Sequence, residues 1–305
     1  MHAEVQKWLD RGQFLDVQGN KIFYIQEGSG EPLLILHGYP YSSFEWASIW
    51  DELTQKYKVV IFDLLGMGFS DKPQNHTYSF QEHAEIVNAL LAFLKINRVH
   101  ILSHDLGVSV GQELIARNND ADTEGYNPET SGGNVFKIES ITFMNGGLFM
   151  DVYQPRLIQK LLSQSPTFVG KFISKNITKA MTNKSVKALF GLETQPSEAF
   201  LDQQWEVLNY KNGKSIAYLI GRLVFEKNKY QKRWIEAMQT TAIPMCLING
   251  PCDPNSGAHM ANRYKELIPN PLIYTLNENI GHWPFLEDEK AVLTAYFDFR
   301  SKPQY

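Results

Sequence analysis

Short runs rich in apolar and β-branched residues recur along the chain at 33–36, 58–62, 99–102, 137–144, 243–249 and 272–276. Runs of this length predict strands, and the largely apolar 33–36 and 58–62 predict strands buried on both faces of a parallel sheet. Two stretches between them change period. In 46–56 the residues Trp46, Ile49, Trp50 and Leu53 share one stripe, and in 79–95 so do Phe80, Ala84, Val87, Leu91 and Leu94. Both predict amphipathic helices, the second opened by a capping box of Ser79 and Glu82. Upstream, 14–17 and 22–26 flank Gln18-Gly19-Asn20-Lys21 and predict a hairpin with a Gly-Asn turn. A last helix is expected over 291–299. Strands alternating with helices in this way imply an α/β fold, a mostly parallel eight-stranded sheet with helices on both faces.

From about 148 to 241 the alternation stops. Only helical spacing remains, as in Leu157, Leu161 and Leu162, or Phe168, Phe172 and Ile173. This predicts a helical cap inserted late in the chain, over the strand ends, with residues 1–147 and 242–305 forming the core domain. The basic run 227–233 reads as a solvated helix face. Residues 118–134 are polar and glycine-rich, a long surface loop. Asp120 to Gly125 imitates the start of a calcium loop, but Ser131 stands where a bidentate Glu is needed, so no metal is expected.

Composition narrows the class. At 305 residues and 43% hydrophobic content the chain can bury one large core, alone or with an insertion. A formal charge of −4 leaves no basic footprint for nucleic acid. Cys246 and Cys252 make neither a disulfide framework nor a zinc site. No apolar run approaches the roughly 18 residues of a membrane span, and the first residues lack a signal-peptide core. A cytoplasmic protein without cofactor is expected, its glycosylation-like tripeptides at Asn75, Asn176 and Asn183 being coincidental.

The chemistry concentrates where the run 99–102 enters Ser103-His104-Asp105-Leu106-Gly107, followed by a helical pattern with Val108, Gly111, Leu114 and Ile115. Strand, tight turn, helix aims the central side chain out of the top of a sheet, provided the residues two before and two after it are small. Ser103 and Gly107 are small, and the centre is Asp105. A carboxylate there can displace a leaving group from saturated carbon, forming an enzyme ester that an activated water then hydrolyses. Asp253 and His282 likewise follow predicted strands, at the sheet edge where open α/β folds hold ligands. His282 is the candidate base and Asp253 the group that orients it. Backbone amides at Tyr39, in His37-Gly38-Tyr39-Pro40, and at Leu106 would form an oxyanion hole. Two patterns are set aside. Gly107-Val108-Ser109-Val110-Gly111 matches a serine-hydrolase elbow, but Ser109 would lie inside the helix, where small residues serve close packing. Gly66-Met67-Gly68 lacks the third glycine and the helix of a dinucleotide loop.

With these motifs in hand the chain resembles an α/β-hydrolase of the haloalkane dehalogenase and epoxide hydrolase group. The resemblance rests on 37–40, on 66–73, on the elbow, and on Asp253 and His282. Within that group it is most similar to the mesoderm-specific transcript family, through 102–105, 145–149 and 155–162. It implies the α/β-hydrolase fold and a small apolar substrate, an epoxide favoured, with dehalogenation or weak-turnover ligand binding as alternatives. It also places His104, Asn145, Tyr218, Phe225 and Trp283 around the substrate pocket. Departures matter. Leu106 stands where dehalogenases carry a halide-binding tryptophan and Tyr39 where many carry asparagine, while Phe225 falls on one of the two tyrosines that epoxide hydrolases use.

Overall fold

The computed structural model describes residues 1–121 and 133–302. A single eight-stranded sheet runs through it in the order β1-β2-β4-β3-β5-β6-β7-β8. The hairpin strands β1 (Gln13–Val17) and β2 (Asn20–Glu27) join antiparallel, and β3 (Glu31–Leu36), β4 (Tyr57–Phe62), β5 (Arg98–His104), β6 (Lys137–Met144), β7 (Met245–Asn249) and β8 (Ile273–Thr275) are mutually parallel. Leu33 to Leu36 and Val59 to Phe62 are wholly buried, as runs covered on both faces must be.

Local chemistry corrects several expectations. The hairpin turn is Gln18-Gly19 rather than Gly-Asn: Val17 pairs with Asn20, and both turn residues have positive φ, +53° and +80°. That geometry matches the twist of the two strands. The helix expected over 46–56 splits into a 3₁₀ turn, Ser43–Ser48, and α2, Trp50–Thr54. Asp63 Oδ1 accepts the Ser43 amide at 2.6 Å and Ser42 Oγ accepts that of Phe44, so the entry is held in a tighter turn. In α3 (Phe80–Phe93) the capping box is half made: Ser79 Oγ accepts the Glu82 amide, but the Glu82 carboxylate pairs with His76 at 2.7 Å. Helix α1, Ala3–Arg11, is not among the expected elements; it buries Val5 and Trp8, with Leu9 packed beside them at helical spacing. The calcium-like pattern lies outside the described residues from 122 onward.

Helix α4 (Gly107–Ala121) runs back from the elbow against the central strands β3, β5 and β6. A Cβ at Gly111 would lie 2.7 Å from Ile141 Cδ1, so the small residue does serve close packing. Between β6 and β7 stand only helices: α5 (Leu157–Gln164), α6 (Thr167–Asn176), α7 (Lys179–Lys187), α8 (Glu198–Asn209), a 3₁₀ turn, α9 (Ala217–Gly221) and α10 (Leu223–Thr240). After β7 come α11 (Ala258–Leu267) and, past β8, α12 (Pro284–Glu287) and α13 (Glu289–Ser301). Helix α10 packs along α4, so the reading of 227–233 as a solvated face holds for Lys229 and Lys232, 70% and 90% exposed, but not for Lys227 and Arg233. Lys227 is 3% exposed, and Arg233 bridges Glu113 and Asp120 at 2.7 Å each. A helix laid along another must turn part of every charged run inward.

Candidate active site

Asp105 sits between β5 and α4 with φ +47°, a left-handed conformation that a non-glycine residue adopts only where its surroundings impose it. The crowding explains its neighbours. A Cβ on Gly107 would fall 2.3 Å from the Leu36 carbonyl oxygen, and one on Gly38 would meet the Asp105 side chain at 2.6 Å. Glycine at these two positions is what lets the 37–40 loop and the elbow touch. The Tyr39 amide then donates to Asp105 Oδ1 at 2.8 Å. The loop is held from behind by His37, whose Nε2 accepts the Leu64 amide at 2.9 Å while Nδ1 donates to the Gly38 carbonyl at 2.8 Å.

On the other side of the carboxylate, His282 Nε2 lies 3.5 Å from Asp105 Oδ2, and His282 Nδ1 donates to Asp253 Oδ2 at 2.8 Å. Asp253 is saturated with donors: Ser256 Oγ at 2.6 Å, the Asn255 amide at 2.8 Å and Asn145 Nδ2 at 3.2 Å. Asn145 also exchanges two bonds with Gly250, so the end of β6 fixes the end of β7. Burial opposes every charge here, yet the pairing wins. Desolvation works against the His282 imidazolium, but Asp253 and Asp105 lift its pKa to about 10. Desolvation would raise both carboxylates. His282, aided at Asp105 by His104 and Lys227, instead holds each below its ordinary value.

A cavity of about 120 Å³ opens over Asp105 and His282, walled by Tyr39, Tyr41, Leu162, Val186, Leu189 and Trp283, with Asn255 at its edge. That is close to the roughly 150 Å³ of apolar cavities that hold a benzene ring. Of the residues expected around the pocket, Trp283 lines it. His104 lies beneath, its Nε2 donating to the His282 carbonyl at 2.7 Å. Asn145 braces Asp253. Tyr218 packs on Gly170, and neither it nor the half-buried Phe225 lines this cavity.

Four residues escaped the sequence reading. Glu45, 2% exposed, takes Trp283 Nε1 at 3.2 Å and the Gly38 amide at 3.4 Å, and lies 3.3 Å from His104 Nδ1. It thus ties together the three loops that carry the site. A lone acid between Phe44 and Trp46 was its signal. Asn255, 1% exposed, leaves Oδ1 without a partner among the described residues. Lys227 buries its amine against the Gly147 carbonyl at 3.4 Å, and burial lowers its pKa to about 8, partly countered by Asp105. Tyr153, 8% exposed, stacks its ring 5.5 Å from that amine. Among the described residues no cluster of His, Cys, Asp and Glu could hold a metal ion.

Comparison with known proteins agrees with this architecture. Residues 31–289 match the family described as alpha/beta hydrolase fold. The mouse (Mus musculus) mesoderm-specific transcript protein is 34% identical over 97% of this chain and 87% of its own. Among solved structures, the epoxide hydrolase CorEH superposes with a TM-score of 0.74 at 20% identity, covering 94% of this chain and 97% of the other. A variant of haloalkane dehalogenase DatA from Agrobacterium tumefaciens C58 gives 0.75 at 18%, covering 95% and 96%. At those identities the likeness is one of fold.

Proposed function

The chain belongs to the alpha/beta hydrolase fold family, and from that premise we propose that it is a hydrolase working through a covalent ester on Asp105, with a small epoxide as the favoured substrate class. The observation that carries this reading is the carboxylate at the elbow, with an amide on one oxygen at 2.8 Å and an imidazole 3.5 Å from the other.

In the first step the Asp105 oxygen not held by Tyr39 attacks the epoxide carbon. The carbon–oxygen bond breaks with its electron pair on the departing oxygen, which takes a proton from solvent water and becomes a hydroxyl. In the second step His282 Nε2 removes a proton from water, and the hydroxide adds to the Asp105 carbonyl carbon. The developing oxyanion sits on Oδ1, facing the Tyr39 amide, and the Leu106 amide at the start of α4 is the second donor. Collapse releases a diol and restores the carboxylate.

The electrostatics time the two steps. Before alkylation, two carboxylates hold His282 protonated. Esterification removes one negative charge 3.5 Å from Nε2, which lowers the imidazolium's hold on its proton, so the ring sheds it to solvent and stands neutral when a base is needed. Halide chemistry is less well served. The one indole on the cavity, Trp283, already donates to Glu45, and Leu106 offers no N–H beyond its backbone.

The test is a panel of small epoxides and haloalkanes assayed for diol and for halide. Diol from epoxides supports the reading. Halide release without diol would transfer it to dehalogenation, and neither product from any member would leave a binding role.

A further inference from the structure

We propose that the outer face of α5 and α6 docks this protein peripherally on an anionic lipid surface. The two helices adjoin and both pack on α9. Their faces are sharply sorted. On α6, Ser174 Oγ accepts the Tyr218 amide at 3.0 Å, and a Cβ on Gly170 would touch the Tyr218 ring at 3.0 Å, so this side faces inward. Phe168 and Phe172, one helical turn apart, point away from it and are 76% and 70% exposed. On α5, Leu162 is buried while Leu157 and Leu161 are 73% and 46% exposed. Met181, at the start of α7, is half exposed too. Side chains of this size left uncovered on neighbouring elements mark an interaction surface.

Charge identifies the partner. From 152 to 192 the chain holds seven Lys and Arg and no Asp or Glu, although the whole chain carries 29 basic against 33 acidic residues. Lys179 and Lys187 are neutralised by Asp202 and Glu198 on α8. Lys160, Lys171, Lys175 and Lys184 have no ion-pair partner among the described residues. Lys160 adjoins Leu161, and Lys171 and Lys175 flank Phe172. Lysines bordering an apolar stripe can lay their stems along it and send their ammonium groups to phosphate, the layout of an interfacial helix.

Other occupants fit poorly. A second copy would bring two basic faces together. A protein partner would cover the cavity, because Ile177, Met181 and Thr182, with Arg156 and Gln159, also form its outer wall. A lipid surface matches the charge and the apolar stripe, and it would lie against Ile177 and Met181 of the cavity wall, a delivery path for an apolar substrate. No helix of the described residues is long and apolar enough to cross a membrane, so the contact is peripheral. Only the delivery path rests on the catalytic reading given above; the docking does not.

Flotation of the full chain with phosphatidylcholine vesicles, with and without phosphatidylserine, tests this. Binding is expected only with phosphatidylserine and should weaken on raising salt. Phe168→Ser with Phe172→Ser should reduce it by about tenfold or more, and Lys171→Glu with Lys175→Glu similarly. All four positions are exposed and none lines the cavity, so turnover of a dissolved substrate should stay unchanged. Absence of binding to the acidic vesicles, or binding indifferent to both variant pairs, overturns the proposal. So does a dimer in gel filtration that the phenylalanine pair abolishes without any vesicle binding. Diol formation is read separately, so failure of docking and failure of the catalytic reading remain distinct.

Discussion

The Tyr39 amide donates to Asp105 Oδ1 at 2.8 Å in the resting protein, so on the proposed ester route one donor of the oxyanion hole would be in place before any substrate arrives. On that route the same bond would fix which carboxylate oxygen is free to attack. Preorganisation of this kind costs no rearrangement at the moment of reaction. It also requires the close approach at Gly38, where any side chain would strike Asp105.

Asp105→Asn should fold with its melting temperature little changed and lose about a thousandfold or more in turnover, because the amide keeps the shape but not the nucleophilic charge. Progress curves on an epoxide, with mass spectrometry to exclude deamidation back to Asp, check this. Near-native turnover by the Asp105→Asn variant with its amide intact would remove the nucleophile.

His282→Gln should leave the first step and stop the second. The expected result is a mass increase, equal to the added substrate, on the peptide containing Asp105. An unmodified peptide after incubation with a substrate that the unaltered enzyme turns over would defeat this division of labour.

A single turnover in heavy-oxygen water, with enzyme in excess, separates the ester route from direct attack of water on the substrate. The ester route passes an old carboxylate oxygen to the product and leaves the solvent oxygen on Asp105. Label in the first-turnover diol would make Asp105 a general base instead.

Glu45→Ala removes an acceptor from Trp283 Nε1 and from the Gly38 amide and leaves both buried. A loss of about 2–3 kcal/mol in denaturant unfolding is expected. Turnover should fall as well, because the loops bearing Tyr39 and His282 lose their common brace. Stability unchanged in Glu45→Ala would show that Glu45 is not that brace.

Lys227 gives a pH dependence of definite sign. Its folded pKa, about 8, lies below the ordinary 10.5, so its buried charge destabilises the fold. That penalty is complete below pH 8 and is relieved as pH rises toward 10.5, where the unfolded chain also loses the proton. Lys227→Met should therefore be more stable at pH 7, by roughly 3 kcal/mol, and its advantage should shrink through this window. Paired melting curves from about pH 7 to about pH 10 measure it; an advantage that stays constant or grows with pH contradicts the assignment.

Much of this was written in local residue order. A parallel strand covered on both faces is mostly apolar, so the buried centres of β3 to β7 could be read directly. The elbow needs Ser103 and Gly107 for steric reasons that any side chain at its centre would impose, which made Asp105 conspicuous. Asp253 and His282 each follow a strand, and their order along the chain was readable too. The split at Ser48 was not, because a pinned first turn leaves no period to detect, whereas the α1 helix was legible in the stripe of Val5, Trp8 and Leu9 although it is not among the expected elements.

What the sequence alone determined is therefore the sheet, the inserted helices and the identity of the groups that strand ends carry, since each follows from spacing within one element. Only the tertiary structure decided which distant groups meet. Lys227 belongs to a run that looks solvated, and it is buried because α10 lies along α4. Glu45 becomes a brace because a 3₁₀ turn points it at loops up to 238 residues away. Tyr218 and Phe225 are turned away from the cavity by packing among the inserted helices. Burial and pairing across the chain depend on how elements pack, and no pattern within an element encodes that.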